Sequence, residues 1–152
     1  VDGDTMTKLT KNFTIEELTF SATANSECID NTPNDTQIGN LKQLAVNVLQ
    51  PIRDKFGVVK INSGFRSREL NDIIGGVKTS QHCLGEAADI YAPNATLYDV
   101  AIWIRDNIKY DQLIYYPDKG FIHVSYRNGR LIGDTLTYVF GSYQRGLLSV
   151  RS

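Results

Sequence analysis

Residues 111–132 read DQLIYYPDKGFIHVSYRNGRLI. β-Branched and aromatic residues in DQLIYY give way to the turn set Pro117-Asp118-Lys119-Gly120, resume in FIHVSY, and stop again at Arg127-Asn128-Gly129 before RLI. Turns this short join neighbouring strands antiparallel. Asn-Gly between apolar runs is the strongest hairpin signal in the chain, so RLI is expected to form the next strand after FIHVSY. Alternation along FIHVSY sends Phe121, His123 and Ser125 to one face and Ile122, Val124 and Tyr126 to the other.

Working outward, residues 136–140 are expected to add a strand, and residues 141–152 show little pattern and read as a tail. Upstream, Thr96 with Asp99 forms a capping-box signature, and Leu97, Val100, Ala101, Ile104 and Ile108 trace one face of a helix. AADIYA, ending at Ala92, reads as a buried strand, residues 68–74 as a short helix broken by Gly75-Gly76, and VVKIN (58–62) as a strand running into Ser63-Gly64. The clearest helix spans 36–56, where Ile38, Leu41, Ala45, Val48 and Ile52 recur at helical spacing and Gly57 stops it. Pro51 inside that pattern predicts a kink or an early end. Residues 7–34 read as a lead-in arm with a short helix capped at Thr14, Glu17 completing the box. Helices early and hairpins late predict an α+β fold: a single domain over 1–152, an antiparallel sheet with helices packed on one side.

Composition fits that reading. A chain of 152 residues encloses one core but is short for two, and its 41% apolar and 22% charged content is that of a globular protein. Its 16 basic and 17 acidic side chains leave no electrostatic footprint for nucleic acid. No apolar run approaches the roughly 20 residues of a membrane span, and no signal-peptide pattern opens this stretch, so neither anchor nor export signal is expected in it. Cys28 and Cys83 are too few for a disulfide framework and are read as separate thiols.

The chemistry concentrates in SQHCLGEAADI, residues 80–90, which places one of only two histidines seven residues before an aspartate. Gly85 lets the chain turn between His82 and Asp89, and His123 can face the same place from a neighbouring strand. Two imidazoles and one carboxylate form a three-ligand zinc set whose fourth position stays open to water, the arrangement of catalytic zinc. Spacing alone leaves the alternative standing, since a strand histidine is more often a satisfied polar residue. Cys83 is read as a small buried apolar residue, with a ligand role beside His82 as the alternative.

SGFRS, SQHCLGEAADI, DQLIYY and FIHVSY resemble, in order and spacing, the zinc D-alanyl-D-alanine carboxypeptidase-like family of peptidoglycan peptidases, which includes phage endolysins. The likeness covers roughly residues 12–126, and the opening FTIEELTFSATA…DNTP resembles a phage and prophage subgroup. It implies a hedgehog/DD-peptidase-like fold, Zn2+ held by His82, Asp89 and His123, and Arg66 binding substrate and steadying an oxyanion. The implied reaction cuts a peptide bond of a bacterial stem peptide, as D-Ala-D-Ala carboxypeptidase or as endolysin-type endopeptidase, through a zinc-activated water. The implied place of action is the bacterial cell wall, with a phage-encoded source.

Ser80 and Gln81, beside His82, orient the ligand, touch substrate or satisfy the loop backbone. The chain departs from the family over the general base: Gly120 stands three before His123, and Tyr116 stands where the subgroup often has Glu. Asp118 is then the nearest carboxylate and the first candidate base, and Tyr116 a hydrogen-bond donor to substrate; Asp111 reads as structural and Glu86 as solvated. Two functions follow from that departure: a working zinc peptidase, or a zinc-containing module that binds wall peptides without turnover.

Overall fold

The computed structural model describes residues 7–149. Residues 1–6, which open the stretch searched for a signal, and residues 150–152 at the end of the expected domain and tail lie outside the described residues. Six strands, β1 (Lys60–Ser63), β2 (Ala87–Tyr91), β3 (Gln112–Tyr116), β4 (Phe121–Ser125), β5 (Asp134–Val139) and β6 (Ser142–Arg145), form one sheet in the order β1-β2-β4-β3-β5-β6. The β3–β4 hairpin is the one read from sequence. The second hairpin is not formed. β4 already pairs with β3 on one edge and β2 on the other, so no ladder position remains for RLI. Arg127-Asn128-Gly129 instead closes a local turn, Arg130 N–H donating to the Arg127 carbonyl at 2.9 Å, and Ile132 stays exposed. The chain then adds β5 parallel to β3, the one parallel pair in an otherwise antiparallel sheet.

The segment read as a patternless tail contains β6. Phe140 and Gly141, both at positive φ (53° and 76°), form a two-residue connection between Val139 and its partner Ser142, the backbone of a type I′ turn. All four β6 residues are exposed, so no apolar alternation marks the strand in the sequence.

Helices α1 (Ile15–Thr19) and α2 (Ala22–Ser26) precede a long helical run: α3 (Asp35–Leu44), a π-helical stretch (Ala45–Leu49) and α4 (Gln50–Phe56). Asn34 starts it with a reciprocal capping box, each side chain of Asn34 and Gln37 bonded to the other's backbone at 2.8 Å. Pro51 does not end the helix. A proline ring collides with the carbonyl four residues back, and the wider π turn just ahead of Pro51 relieves that clash so that helix continues to Phe56. Further on, α5 (Arg68–Ile73), a 3-10 turn (Gln81–Leu84) and α6 (Leu97–Asn107) complete the helices, Thr96 capping α6 as read.

Leu41, Leu44, Val48, Leu49 and Ile52 of the long helix and Val100, Ala101 and Ile104 of α6 bury one sheet face: Ala88 and Ile90, Leu113 and Tyr115, Ile122 and Val124. Each large apolar side chain so buried stabilises the fold by about 1.5–3 kcal/mol. Residues 7–34 are more than an arm. Leu9, Phe13 and Leu18 sit in the same core, and Lys42 donates its ammonium to the Leu9 carbonyl at 2.6 Å. Strand alternation leaves Ala87 and Asp89, Ile114 and Tyr116, and Phe121 and His123 on the opposite face. No described helix is long and apolar enough to cross a membrane.

Candidate metal centre

The register of β2 against β4 sets Asp89 directly opposite His123. Residues opposed in this way hold their Cβ atoms about 4.5–5.5 Å apart, so short polar side chains on one face must meet. His123 Nδ1 lies 3.0 Å from Asp89 Oδ1. His82 arrives from the 3-10 turn, started by Ser80, whose hydroxyl accepts from the His82 N–H, and ended by Gly85 in the left-handed conformation. His82 Nδ1 lies 2.7 Å from the Gly64 carbonyl. A carbonyl only accepts, so Nδ1 carries the proton and Nε2 turns its lone pair toward Asp89 Oδ1, 3.3 Å away.

Gly64 is itself fixed from the N-terminal segment. Phe65 N–H donates to the Leu18 carbonyl at 2.7 Å, and a Cβ on Gly64 would lie 2.2 Å from that same oxygen. Asn31 ties the loop down further: its amide donates to the Thr19 and Phe65 carbonyls and its oxygen accepts from Ser67 N–H at 2.7 Å. Sequence reading missed both Gly64 and Asn31, because each acts through a partner distant in sequence.

Arg66 leaves this loop and reaches the cluster, its Nη2 3.7 Å from Asp89 Oδ2. Nε donates to Ser63 Oγ and Nη1 to Asn71 Oδ1, each at 3.1 Å, which aims the guanidinium. Asn71 is buried and also donates to the Val77 carbonyl, while Gly76 leaves room for it: a Cβ there would fall 2.1 Å from its Oδ1.

Burial pushes the His82 imidazole below its ordinary pKa against the opposing pull of Asp89, so the ring is neutral and able to ligate at pH 7. Burial alone raises Asp89, but the two imidazoles set against its Oδ1, His123 first, outweigh it and hold the carboxyl well below the usual carboxylate range. The three ligand atoms lie within 4.8 Å of one another. Zinc bonds of 2.0–2.2 Å to nitrogen and oxygen give a tetrahedron with edges of about 3.3 Å. The 3.0 and 3.3 Å separations around Asp89 Oδ1 lie close to that edge, and two imidazole nitrogens with a carboxylate oxygen are the donors zinc takes.

The other sequence-derived residues divide. Tyr116 shares the site face; its phenol lies 3.3 Å from that of Tyr143, and its ring packs with Phe121, Tyr138 and Tyr143. Burial first, then the Tyr143 hydroxyl, raises the Tyr116 pKa, which keeps it a protonated donor at neutral pH. Ser80 serves the backbone of the His82 turn, whereas Gln81 points away from His82, donating to Asp111 Oδ2 at 3.0 Å and Glu86 Oε1 at 3.3 Å. Asp118 is not a member of the ligand cluster and is exposed in the β3–β4 turn. Glu86, expected to be solvated, is buried, because Arg127 grips its carboxylate through Nε and Nη2. Asp111 is structural as read, holding Arg130 at 2.7 Å. Cys28 is exposed, Cys83 is buried, and both are free thiols.

A His-Asp-His cluster that could hold a metal ion, on the open face of an α+β sheet with an arginine beside it, is an arrangement of the metallopeptidase kind. The Peptidase M15 family profile matches residues 11–125, and the chain belongs to that family: a zinc peptidase of the peptidoglycan-peptidase kind. No curated protein matches the chain. The match ends at the last residue of β4, so β5 and β6 lie beyond it.

Proposed function

We propose that this chain hydrolyses a peptide bond in the stem peptides of bacterial peptidoglycan, acting on the wall as a D-Ala-D-Ala carboxypeptidase or as an endolysin-type endopeptidase. The observation that carries the reading is the convergence of His82 Nε2, Asp89 Oδ1 and His123 Nδ1 with the Arg66 guanidinium alongside. Zinc, when bound by those three, supplies a Lewis acid and water acidic enough to attack at neutral pH. Arg66, held by Ser63 and Asn71, offers its remaining donors to a substrate carboxylate or to the negative charge that develops on the attacked carbonyl. Tyr116, kept protonated, donates from the neighbouring strand. Gly64 holds the His82 proton on Nδ1, away from the ligating nitrogen.

The test is incubation of purified muropeptides with the protein, with and without a chelator, followed by mass spectrometry of the products. Release of a terminal D-alanine identifies the carboxypeptidase, and an internal cut the endopeptidase. Product that persists after chelation overturns the proposal. One observation favours a second reading, a zinc-containing module that binds wall peptide without turnover: Asp118, the candidate base, is exposed in the β3–β4 turn. Zinc bound at one equivalent with no product from any muropeptide decides for that module.

A further inference from the structure

A cavity of about 610 Å³ adjoins the metal centre on the far side of the 3-10 turn. Gln81 and His82 are consecutive residues of that turn, Gln81 lining the cavity and His82 lining the centre, so the turn is a shared wall. Four cationic side chains line it: Arg68, Lys78, Arg127 and Arg130. That density contrasts with a chain whose formal net charge is -1.

Two of the four are fixed from below. The buried carboxylate of Glu86 takes Nε and Nη2 of Arg127, and the buried carboxylate of Asp111 takes Nη2 of Arg130, with Gln81 bridging the two acids. Both guanidiniums therefore stand with their other nitrogens unbonded among the described residues and partly exposed, at 33% and 49%. Across the cavity, Arg68 bonds only the Lys78 carbonyl, at 3.4 Å, and the Lys78 ammonium has no acceptor among the described residues. Asp72 lies behind Arg68 and Lys78 in a separate small hollow and forms no ion pair with either. Cations gathered around a hollow, two of them braced by buried acids, pre-organise donors for an anion that the chain itself does not provide.

We propose that this cavity is a subsite for a carboxylate carried by the stem peptide, away from the bond being cut. The source of the anion rests on the reading of the substrate given above; the site rests on the cavity alone. Arg127 lies four residues beyond His123 along β4 and its continuation, a span of about 10–13 Å at strand rise. An extended peptide with its scissile carbonyl at the centre places an acidic group three or four residues away among these cations. The subsite therefore selects for length and charge.

Titration calorimetry on the full chain, zinc-loaded and metal-free, tests this with two stem pentapeptides that differ only in whether the α-carboxyl of their acidic residue is free or a carboxamide. The free carboxylate is expected to bind about tenfold tighter. Because zinc is not part of the subsite, the ratio persists after metal removal. Arg68→Gln with Lys78→Gln, which leaves the buried Glu86 and Asp111 pairs intact, lowers the ratio to about threefold, since Arg127 and Arg130 still line the cavity. Equal affinity of the two peptides for the native chain overturns the proposal, as does a ratio that the double substitution leaves unchanged. Tight binding of a glycerol-phosphate oligomer with no discrimination between the peptides overturns it in favour of a phosphate ligand. If the ratio holds but neither peptide is cut, the hydrolase reading fails and the subsite stands.

Discussion

Gly64→Ala tests whether the N-terminal segment sets the metal centre. The added methyl falls 2.2 Å from the Leu18 carbonyl oxygen and 3.0 Å from its carbon, both backbone atoms that cannot swing aside. Ordinary contact begins near 3.4 Å, so the 65-side loop or α1 must move by about 1.2 Å, the difference between 3.4 and 2.2. The Gly64 carbonyl that fixes His82 sits 2.7 Å from Nδ1, and a displacement of that size takes it beyond the range of a hydrogen bond. Losing the partner that orients a ligating histidine lowers metal affinity about 10- to 100-fold. The overlap itself destabilises the fold by about 1–3 kcal/mol. Competition against a chromophoric chelator reads the affinity, and thermal unfolding of the metal-free protein reads the stability. Gly39→Ala is the control, since nothing lies within 4 Å of its added carbon and helix propensity alone makes it neutral to about 1 kcal/mol stabilising. Native zinc affinity in Gly64→Ala refutes the chain of reasoning from Leu18 through Gly64 to His82.

Arg66→Lys retains the charge but cannot reach Ser63, Asn71 and Asp89 together, so kcat/KM on muropeptides falls about 100-fold while zinc affinity, measured by the same competition, changes little. Asp118→Ala leaves the muropeptide cleavage rate within about threefold, as an exposed turn residue should; loss of cleavage with zinc retained shows instead that the turn closes over the centre. Metal-free protein loses thermal stability as pH falls from 7.5 to 5, read by circular dichroism melts. The sign follows from His82: its folded pKa lies below the unfolded value near 6.5, so the unfolded chain takes up the proton first and stability present above that pH is lost below it. Asp89 acts in the same direction at lower pH, its contribution being present above about 3.9 and lost beneath it.

Local signals were legible in the sequence where one element decides the outcome. Thr14, Thr96 and most of the apolar rows of the long helix and α6 each depend on neighbours within a turn or two; both threonines cap as read, without the reciprocal bond from Glu17 or Asp99, and Leu41, Ala45, Val48 and Ile52 lie in the core while Ile38 does not. The face on which His123 lies followed from strand alternation. What alternation does not encode is which strand lies beside which, and so RLI was expected to pair where β2 already stands. The same limit governs Asp118: beyond the end of a strand no period assigns a side, and the turn leaves it exposed. Glu86 was misread because its partner Arg127 is 41 residues away, a separation over which composition says nothing.

The registers also explain how a centre built from so few residues is held rigid. Asp89 and His123 are paired across the interior of the sheet, where β2 and β4 each have neighbours on both edges, so their backbones have no freedom to slide. A one-residue slip would send both side chains into the apolar face among Ile90, Ile122 and Val124, which the packing of α6 and the long helix forbids. His82 alone comes from outside the sheet, and it alone requires a dedicated brace, the Gly64 carbonyl under Leu18. On the other flank, β5 and β6 extend the same face past the span matched by the family, adding Tyr138 and Tyr143 to Tyr116, with the Lys119 ammonium 5.3 Å from the ring centres of Tyr116 and Tyr138. The Asp89–His123 pair thus sits on the most constrained strands, while Tyr143 lies on the edge strand β6 and the cationic cavity is lined by residues outside the strands, where sequence can change without disturbing that pair.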